Sequence, residues 1–516
     1  MGCIQTTYPR GSNPFPLDCH ERLALVPEAV ANQPRLFCLR RIAAGLAAAA
    51  ALCAAAAAQG PPGGGSVATP ASPIQIPQPA IDTSTYQGSL SQEKATPGVL
   101  PLSLNDAIQR GLRNNLGLLL TTQNTLSARG ARLEQLQSLL PTVTASAKEA
   151  VQETDLQAQG LRIPGFPVII GPYGYTDIRG SLTWSLLDLS SLQNYIAQKH
   201  NFQAATLSAQ DARDLVVLTV GNAYLTVIAD AALVQSTQAQ VDTSKVSLDQ
   251  AQANHQAGTA PLLDELRARV DFQTQQQSLI AAQNAYQKDK IALARAIGLP
   301  LDQQFELTDT APYAPFDQLD VDAAVQKALA TRADLKAMEQ SVAAARSARK
   351  AATDERLPTI SFSGDYGDIG INPSHSHGTG DAVGSLDVPL FEEGKLRGDA
   401  KMAQAQLDEQ QAKLSDLRGQ IAADVRDSIL DIQAAEKLVA VAQSNVDLAK
   451  EALSEAQQRY KAGVSDNLAV SQAQQAEAQA DQQYVAALYR HNIAKLSLAR
   501  AMGVAQTNYK DYIGGK

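Results

Sequence analysis

Residues 421–460 carry a seam at intervals alternating between four and three: Ile421, Val425, Ser428, Ile432, Ala435, Val439, Ala442, Val446, Ala449, Leu453, Ala456 and Tyr460. All but Ser428 are apolar, so the pattern predicts a long helix with one sustained heptad seam. A more dilute seam starts at Val216, Val220, Ala223 and Val227 and places Asp230 among its positions. Alanine and glutamine dominate the other faces, which lets helix backbones approach closely. The first long helix is expected from about Ser190 to Ala257, roughly 68 residues and about 100 Å at 1.5 Å per residue. Helices expected over Leu104–Leu139 and Leu262–Ile297 are about half as long, so two short helices stacked end to end would match one long one.

Between the helices the period changes to two. Pro141 and Pro358 stop the preceding helices because proline supplies no backbone donor. Alternating runs follow at Thr142–Ala147 and Thr359–Ser363, each with a partner run, Ile178–Leu187 and Val383–Leu390. These predict two hairpins, about 142–187 and 359–391, whose strands approach the roughly 9–11 residues of a membrane-spanning strand. Their Gly/Pro-rich tips, Leu161–Tyr175 and Ile369–Gly380, are expected to be loops.

The whole pattern occurs twice. Leu102, Ala107, Gln109, Leu112 and Leu118 recur 217 positions later as Leu319, Ala324, Gln326, Leu329 and Leu335, and Leu140-Pro141-Thr142 recurs as Leu357-Pro358-Thr359. The back part matches at a shift of 205, from Val241-Asp242 and Val446-Asp447 to Leu293–Gly298 and Leu498–Gly503. The 12-residue difference falls between the prolines and the long helices, so the first copy makes the larger excursion. Four strands cannot close a barrel, since outer-membrane barrels start at about eight. Lipid forbids an open sheet edge, so strands must be pooled between chains.

Composition narrows the partners. Lys and Arg total 43 against 52 Asp and Glu, a net charge of −9, with no basic tract to follow a phosphate backbone, so nucleic acid is not an expected partner. Arg40-Arg41 followed by the alanine-rich run Ile42–Ala58 reads as a secretory signal cut before Gln59. Cys3, Cys19, Cys38 and Cys53 all lie within it, and Leu52 before Cys53 argues against lipidation there. No later run approaches 18 consecutive apolar residues, so membrane-crossing helices are not expected. The chain divides into a signal at 1–58, a Pro/Gly-rich linker at 59–100, a first repeat at 101–300, a connector at 301–318, a second repeat at 319–505 and a tail at 506–516.

In order, helix, Leu-Pro, alternating strand, the run Val388-Pro389-Leu390-Phe391-Glu392-Glu393-Gly394, long helix, and the turns His255–Ala260 and Tyr460–Ser465 resemble the TolC-like outer-membrane efflux protein family over about 100–505. The resemblance implies a mainly α protein with a membrane β-barrel part, a homotrimer whose twelve-stranded β-barrel continues into a twelve-helix periplasmic α-barrel. It also implies a periplasmic adaptor, an inner-membrane pump and outer-membrane lipid as partners, no cofactor, and passive conduction rather than catalysis. In such proteins the Gly-centred turns are the entrance tips that meet the adaptor; here they are Ala257, Gly258, Thr259, Ala462, Gly463, Val464 and Ser465. The acidic pair that can narrow such an entrance is replaced by Ala469 and Gln472, leaving Asp264 and Asp466 as candidate entrance-lining residues, against a reading of both as exposed helix-start carboxylates. His375 and His377 read as a solvated loop rather than a metal pair, and Trp184, Tyr173, Tyr175 and Phe166 as girdle or packing aromatics. The competing class is a periplasmic coiled-coil scaffold without a pore.

Overall fold

A computed structural model describes residues 84–90, 94–309, 313–316, 319–465 and 467–513. The expected signal at 1–58, most of the linker and Asp466 lie outside the described residues. Those described form part of one compact unit, Ile74–Lys516.

The elements are β1 (Leu100–Leu102), α1 (Leu104–Asn114), α2 (Leu116–Gln137), β2 (Thr142–Asp155), β3 (Ile169–Leu187), α3 (Leu189–Gln256), α4 (Leu262–Ile297), β4 (Phe305–Leu307), α5 (Val321–Thr331), α6 (Ala333–Asp354), β5 (Thr359–Gly370), β6 (Ser376–Asp387), α7 (Glu393–Lys461), α8 (Asn467–Ala501) and α9 (Ala505–Ile513). The shift of 217 carries α1 and α2 onto α5 and α6, and the shift of 205 carries the ends of α3 onto those of α7 to within a residue. Nine of the twelve α7 seam positions are buried, and Ala449, Ala456 and Tyr460 are half-buried.

Strands β2, β3, β5 and β6 form one antiparallel sheet in that order, with β2 and β6 as its edges. The helices attached to them keep the same order: α3 packs between α2 and α6, and α7 packs on α6. Farther from the sheet, α4 replaces α2 beside α3, and α8 lies between α3 and α7. Two short helices therefore do match one long one. Alternation divides the sheet into a polar face with Lys148 opposite Asp177 and Asp365 opposite Asp381, and an apolar face with Val143 opposite Leu182 and Trp184 opposite Phe362.

Several expectations need correction. The helix expected over Leu104–Leu139 is two helices broken at Asn115, whose extended backbone starts a new helix and whose Oδ1 accepts from the amides of Gly117 and Leu118 at 3.0 and 3.4 Å. Its amide side chain also donates to the Tyr86 carbonyl, so a fully buried polar residue is satisfied on every side. The same position in the second copy is Arg332, again extended, buried, and held by Asp334 at 2.6 Å and Asp424 at 2.9 Å. Each break receives a left-handed glycine at the end of a helix: Gly298 (φ +79°) against Asn114 and Gly503 (φ +66°) against Arg332. A Cβ would come within 2.6 Å and 2.9 Å of those neighbours, so both conformation and space require glycine.

The strands are also longer than their alternation implied. β3 starts at Ile169 and β6 at Ser376, so the expected loops shrink to 156–168 and 371–375, and β6 ends at Asp387 rather than Leu390. Glycines there signalled loop, yet a ladder uses only backbone groups, which glycine supplies. Strands β1 and β4 pair in parallel and join the linker end to the connector, and α9 occupies the expected tail. One window of α3 is, by length and composition, apolar enough to cross a membrane, although it is not a run of consecutive apolar residues. Its residues Val216, Val217, Leu218, Val220, Tyr224 and Val227 instead belong to the core formed with α1, α4 and α8. Buried Tyr224 donates to the Leu102 carbonyl at 2.9 Å and to Asp309 at 3.0 Å, tying the first repeat to the connector. Asp230 is buried on its seam, and burial together with the Asp289 carboxyl on α4 holds it well above the usual carboxylate range.

The connector crosses α7 and α8 on a polar clamp. Lys495 donates to the Ala314 carbonyl, Glu436 accepts from the Phe316 amide at 2.8 Å, and the Tyr313 ring lies 5.2 Å from the fully buried His491 ring. Burial first, then the Lys495 charge, hold His491 down at about 4, with Glu436 opposing. Because the unfolded imidazole titrates near 6.5, His491 favours folding fully above that pH, and the contribution is lost as pH falls through 4. His491→Phe, which keeps a ring against Tyr313, is expected to flatten the fall in thermal midpoint between pH 6.5 and 4, checked by melting curves across that range. Asn115→Ala removes a cap and takes the side-chain donor from the half-buried Tyr86 carbonyl, and is expected to cost about 1–2 kcal/mol, read as a lower melting midpoint at constant pH.

Candidate docking tips at the helical turns

The two turns farthest from the sheet are built alike because the same Ala-Gly pair follows each long helix. Ala257 and Ala462 retain helical backbone, and Gly258 and Gly463 then adopt φ +72°. In the first turn the Gly258 amide donates to the His255 carbonyl and the Thr259 amide to the Asn254 carbonyl, both at 2.9 Å. In the second, Gly463 donates to Tyr460 and Val464 to Arg459, both at 3.0 Å. This paired arrangement satisfies the last helical carbonyls and reverses the chain within a few residues. The Thr259 hydroxyl adds a bond to the Asn254 carbonyl at 2.9 Å, and His255 Nδ1 faces the Ala260 carbonyl at 3.2 Å.

Ala257, Gly258, Thr259, Ala462, Gly463 and Val464 are exposed, and Ser465 is half-buried. The structure also brings the two turns together. Asn254 donates to the Tyr460 hydroxyl at 3.4 Å, and buried Asn467 donates to the Asp264 carbonyl at 3.4 Å. Farther along, Ser471 bonds Asp271, and Gln474 donates to Ser247 at 2.9 Å. Tyr484 packs on Val439, Ala442 and Ala487.

Asp264 departs from the exposed helix-start reading. It lies in the first turn of α4 but is buried, with Arg267 at 3.9 Å. Periodicity could not show this because α8, which covers it, is some 200 residues away in the chain. Sequence reasoning also passed over an apolar group beside the tips: Leu262, Leu263, Leu266 and Val270 on α4 and Val464 in the second turn are all exposed. Four exposed apolar residues in the first nine of α4 were the available signal. Between α3 and α7 a groove of about 380 Å³ runs toward the tips, with Lys450, Lys461 and Tyr460 on its α7 side and Glu477 on α8. Burial, then the Asp481 charge, raise Glu477 above the ordinary carboxylate range, opposed by Lys450.

The other sequence candidates are dispersed. His375 faces Asn372 at 3.0 Å in its loop, His377 sits on β6 opposite Ile369, and among the described residues no group of three or more metal-ligating side chains is assembled. The Trp184 indole donates to the Leu139 carbonyl at 3.2 Å where the sheet meets α2. Tyr173 accepts from Gln152 at 2.7 Å, Lys148 lies over the Tyr175 ring at 5.5 Å, and Phe166 stands exposed in the first hairpin loop.

A family model described as outer membrane efflux protein matches residues 107–299 and 324–504, the two repeats. Among curated proteins, the probable efflux pump outer membrane protein TtgC of Pseudomonas putida is 24% identical over 418 residues, covering 78% of this chain and 83% of that protein. The pyoverdine export outer membrane protein OpmQ of the same species is 25% identical over 314 residues, 59% of this chain and 65% of its own length. Among solved structures, the outer membrane protein VceC of Vibrio cholerae aligns with a TM-score of 0.69 at 19% identity, over 78% of this chain and 96% of that one. The CmeC outer membrane channel of Campylobacter jejuni aligns at 0.70 and 18% identity, over 85% and 97%. With both repeats matched by the model and the same fold in these channels, the chain belongs to the TolC-like outer membrane efflux protein family and is a protein of the outer membrane.

Proposed function

We propose that the chain is the exit duct of a tripartite efflux system: three copies close a twelve-stranded barrel in the outer membrane, continued by a twelve-helix tunnel in the periplasm. One observation carries this reading: the sheet order β2-β3-β5-β6 passes without rearrangement into the helix order α2-α3-α6-α7. Such a unit is a segment of a wall, with open flanks at β2, α2 and α4 on one side and at β6 and α7 on the other. Both flanks bear apolar side chains that no described part of the same chain covers. On α7, Leu430, Val441 and Leu448 are exposed on the face opposite the buried seam; on α4, Val270, Ile280 and Ile291 are exposed opposite Ala268, Ala282 and Leu293. Joining the flanks of successive copies buries both seams and pairs β2 with β6, which removes the sheet edges from lipid.

The apolar face of the sheet then meets lipid and the polar face, with Lys148, Asp177, Arg179, Asp365 and Asp381, lines the lumen. The tips Ala257–Thr259 and Ala462–Ser465 form the periplasmic entrance and meet an adaptor that links the duct to an inner-membrane pump. The relatives named for pyoverdine, toluene, solvent and antibiotic export favour small organic cargo. Conduction is passive; energy comes from the pump. A pore-free scaffold does not account for strands with separate apolar and polar faces at the same place in both repeats.

The processed protein, extracted from outer membranes in mild detergent, is expected to have the mass of a trimer and to give defined single-channel conductance steps; a soluble, non-conducting monomer or dimer would overturn the duct. At the tips, replacing Gly258 and Gly463 together by valine forces side chains into left-handed backbone at about 1–2 kcal/mol per site. The double variant is expected to keep trimer mass and conductance but to lose capture of its periplasmic adaptor in pull-down; undiminished capture would remove the tips from the docking surface.

A further inference from the structure

The first hairpin does not stop where the sheet stops. The last pair between β3 and β5 is Thr176 with Gly370, and hairpin two turns back at that level, where Gly370 pairs with Ser376. Ile169–Tyr175 continue beyond it and, among the described residues, pair only with β2, with Gly171 and Pro172 unpaired at the bulge. These residues add about 24 Å of two-stranded ribbon at 3.4 Å per residue. The register slips between Gln152 and Thr154, a bulge that bends the ribbon below its tip.

The tip is apolar. Residues 156–168 contain a single charged side chain, Arg162, while Leu161, Ile163, Phe166 and Val168 are each about half or more exposed, Phe166 at 62%. Beside them is a cavity of about 340 Å³ lined in part by Leu156, Ile163 and Phe166. A two-stranded ribbon is marginal in water by itself, and contiguous exposed apolar side chains call for a partner. Position selects that partner. The ribbon is the extension of β2, an open edge of the sheet, so the nearest neighbour in the closed duct is another copy of this chain. Reach agrees: twelve strands about 4.8 Å apart and tilted about 40° enclose a barrel of roughly 12 Å radius, half the length of the free ribbon.

We propose that the ribbon tips of the three copies bend over the outer mouth and pack together there, Leu161, Ile163 and Phe166 forming an apolar gate at the end of the duct opposite the helical tips. This rests on the trimeric duct proposed above. An apolar constriction of that kind resists ions by excluding water, and opening it needs only separation of the tips.

The test uses the processed outer-membrane trimer, with Cys3, Cys19, Cys38 and Cys53 of the expected signal replaced by serine in the expressed chain. Phe166→Cys in that background, with one thiol per copy, is expected to give covalent dimers on denaturing gels after treatment with a short bismaleimide. Separately, the double variant Ile163→Ser with Phe166→Ser is expected to raise single-channel conductance or open time by about two-fold or more, as removal of a hydrophobic constriction should. Trimer mass of each variant reports folding. If the parent conducts but the tips fail to cross-link, or the serine variant conducts like its parent, the gate is overturned and the tips are left to lipid or to an external protein. A parent that forms no conducting trimer overturns the duct reading and the gate with it.

Discussion

A strand at the edge of a sheet exposes unpaired amide and carbonyl groups, and hydrocarbon offers nothing to pair them. Every other feature of this chain follows from having two such edges, β2 and β6. One copy cannot satisfy them, because its four strands are too few to curl round and meet. In the proposed duct the edges are met by further copies, and the helices inherit the arrangement, since each strand leads to or from one helix. Adaptation to that wall is visible in α7, which is apolar on two opposite faces, one buried in the chain and one left exposed. A helix in an ordinary two-layer globule has no use for the second face.

The duplication explains why one chain supplies two near-equivalent wall segments, and the belt where the short helices break shows how the copies have diverged. Asn115 and Arg332 occupy the same place and impose the same extended backbone, yet they are satisfied by different chemistry. A neutral amide meets the carbonyl of Tyr86 in one; a buried guanidinium meets two carboxylates in the other. Backbone geometry is shared because Gly298 and Gly503 press on both breaks. Side-chain identity is free to differ because what meets each break differs: residues 84–90 at the first, and the carboxylates of Asp334 and Asp424 at the second.

Features set by repeated local pattern were legible in the sequence. The α7 seam, the proline stops, the Gly-centred turns and the two register shifts all reappear as physical elements. Features set by a single residue or by distant partners were not. Asn115 breaks a helix that no proline stops, and the break depends on Tyr86 and on the glycine ending α4. The strands of the first hairpin were underestimated because Gly171, Pro172 and Gly174 look like loop, although Gly174 pairs with Val151 and the strand resumes its pairing with β2 at Ile170 beyond the bulge. At the tips the turn residues could be read directly, while the burial of Asp264 under α8 and the contact of Asn254 with Tyr460 required the fold.

The 12-residue difference between the copies falls where a duplicated wall can tolerate it. Along the helices any insertion would shift a seam relative to its neighbours, and a one-residue slip in a strand would turn its apolar residues to the polar face of the sheet. Only the hairpin loop has no neighbour on its far side. Length added there leaves every register below it intact, and β3 is accordingly 19 residues long where β6 has 12. Added length that merely drifted would be expected to be polar, since water is its surroundings. The added segment instead exposes leucine, isoleucine, valine and phenylalanine beyond the rim, a composition that makes sense for a surface that is covered when the copies assemble.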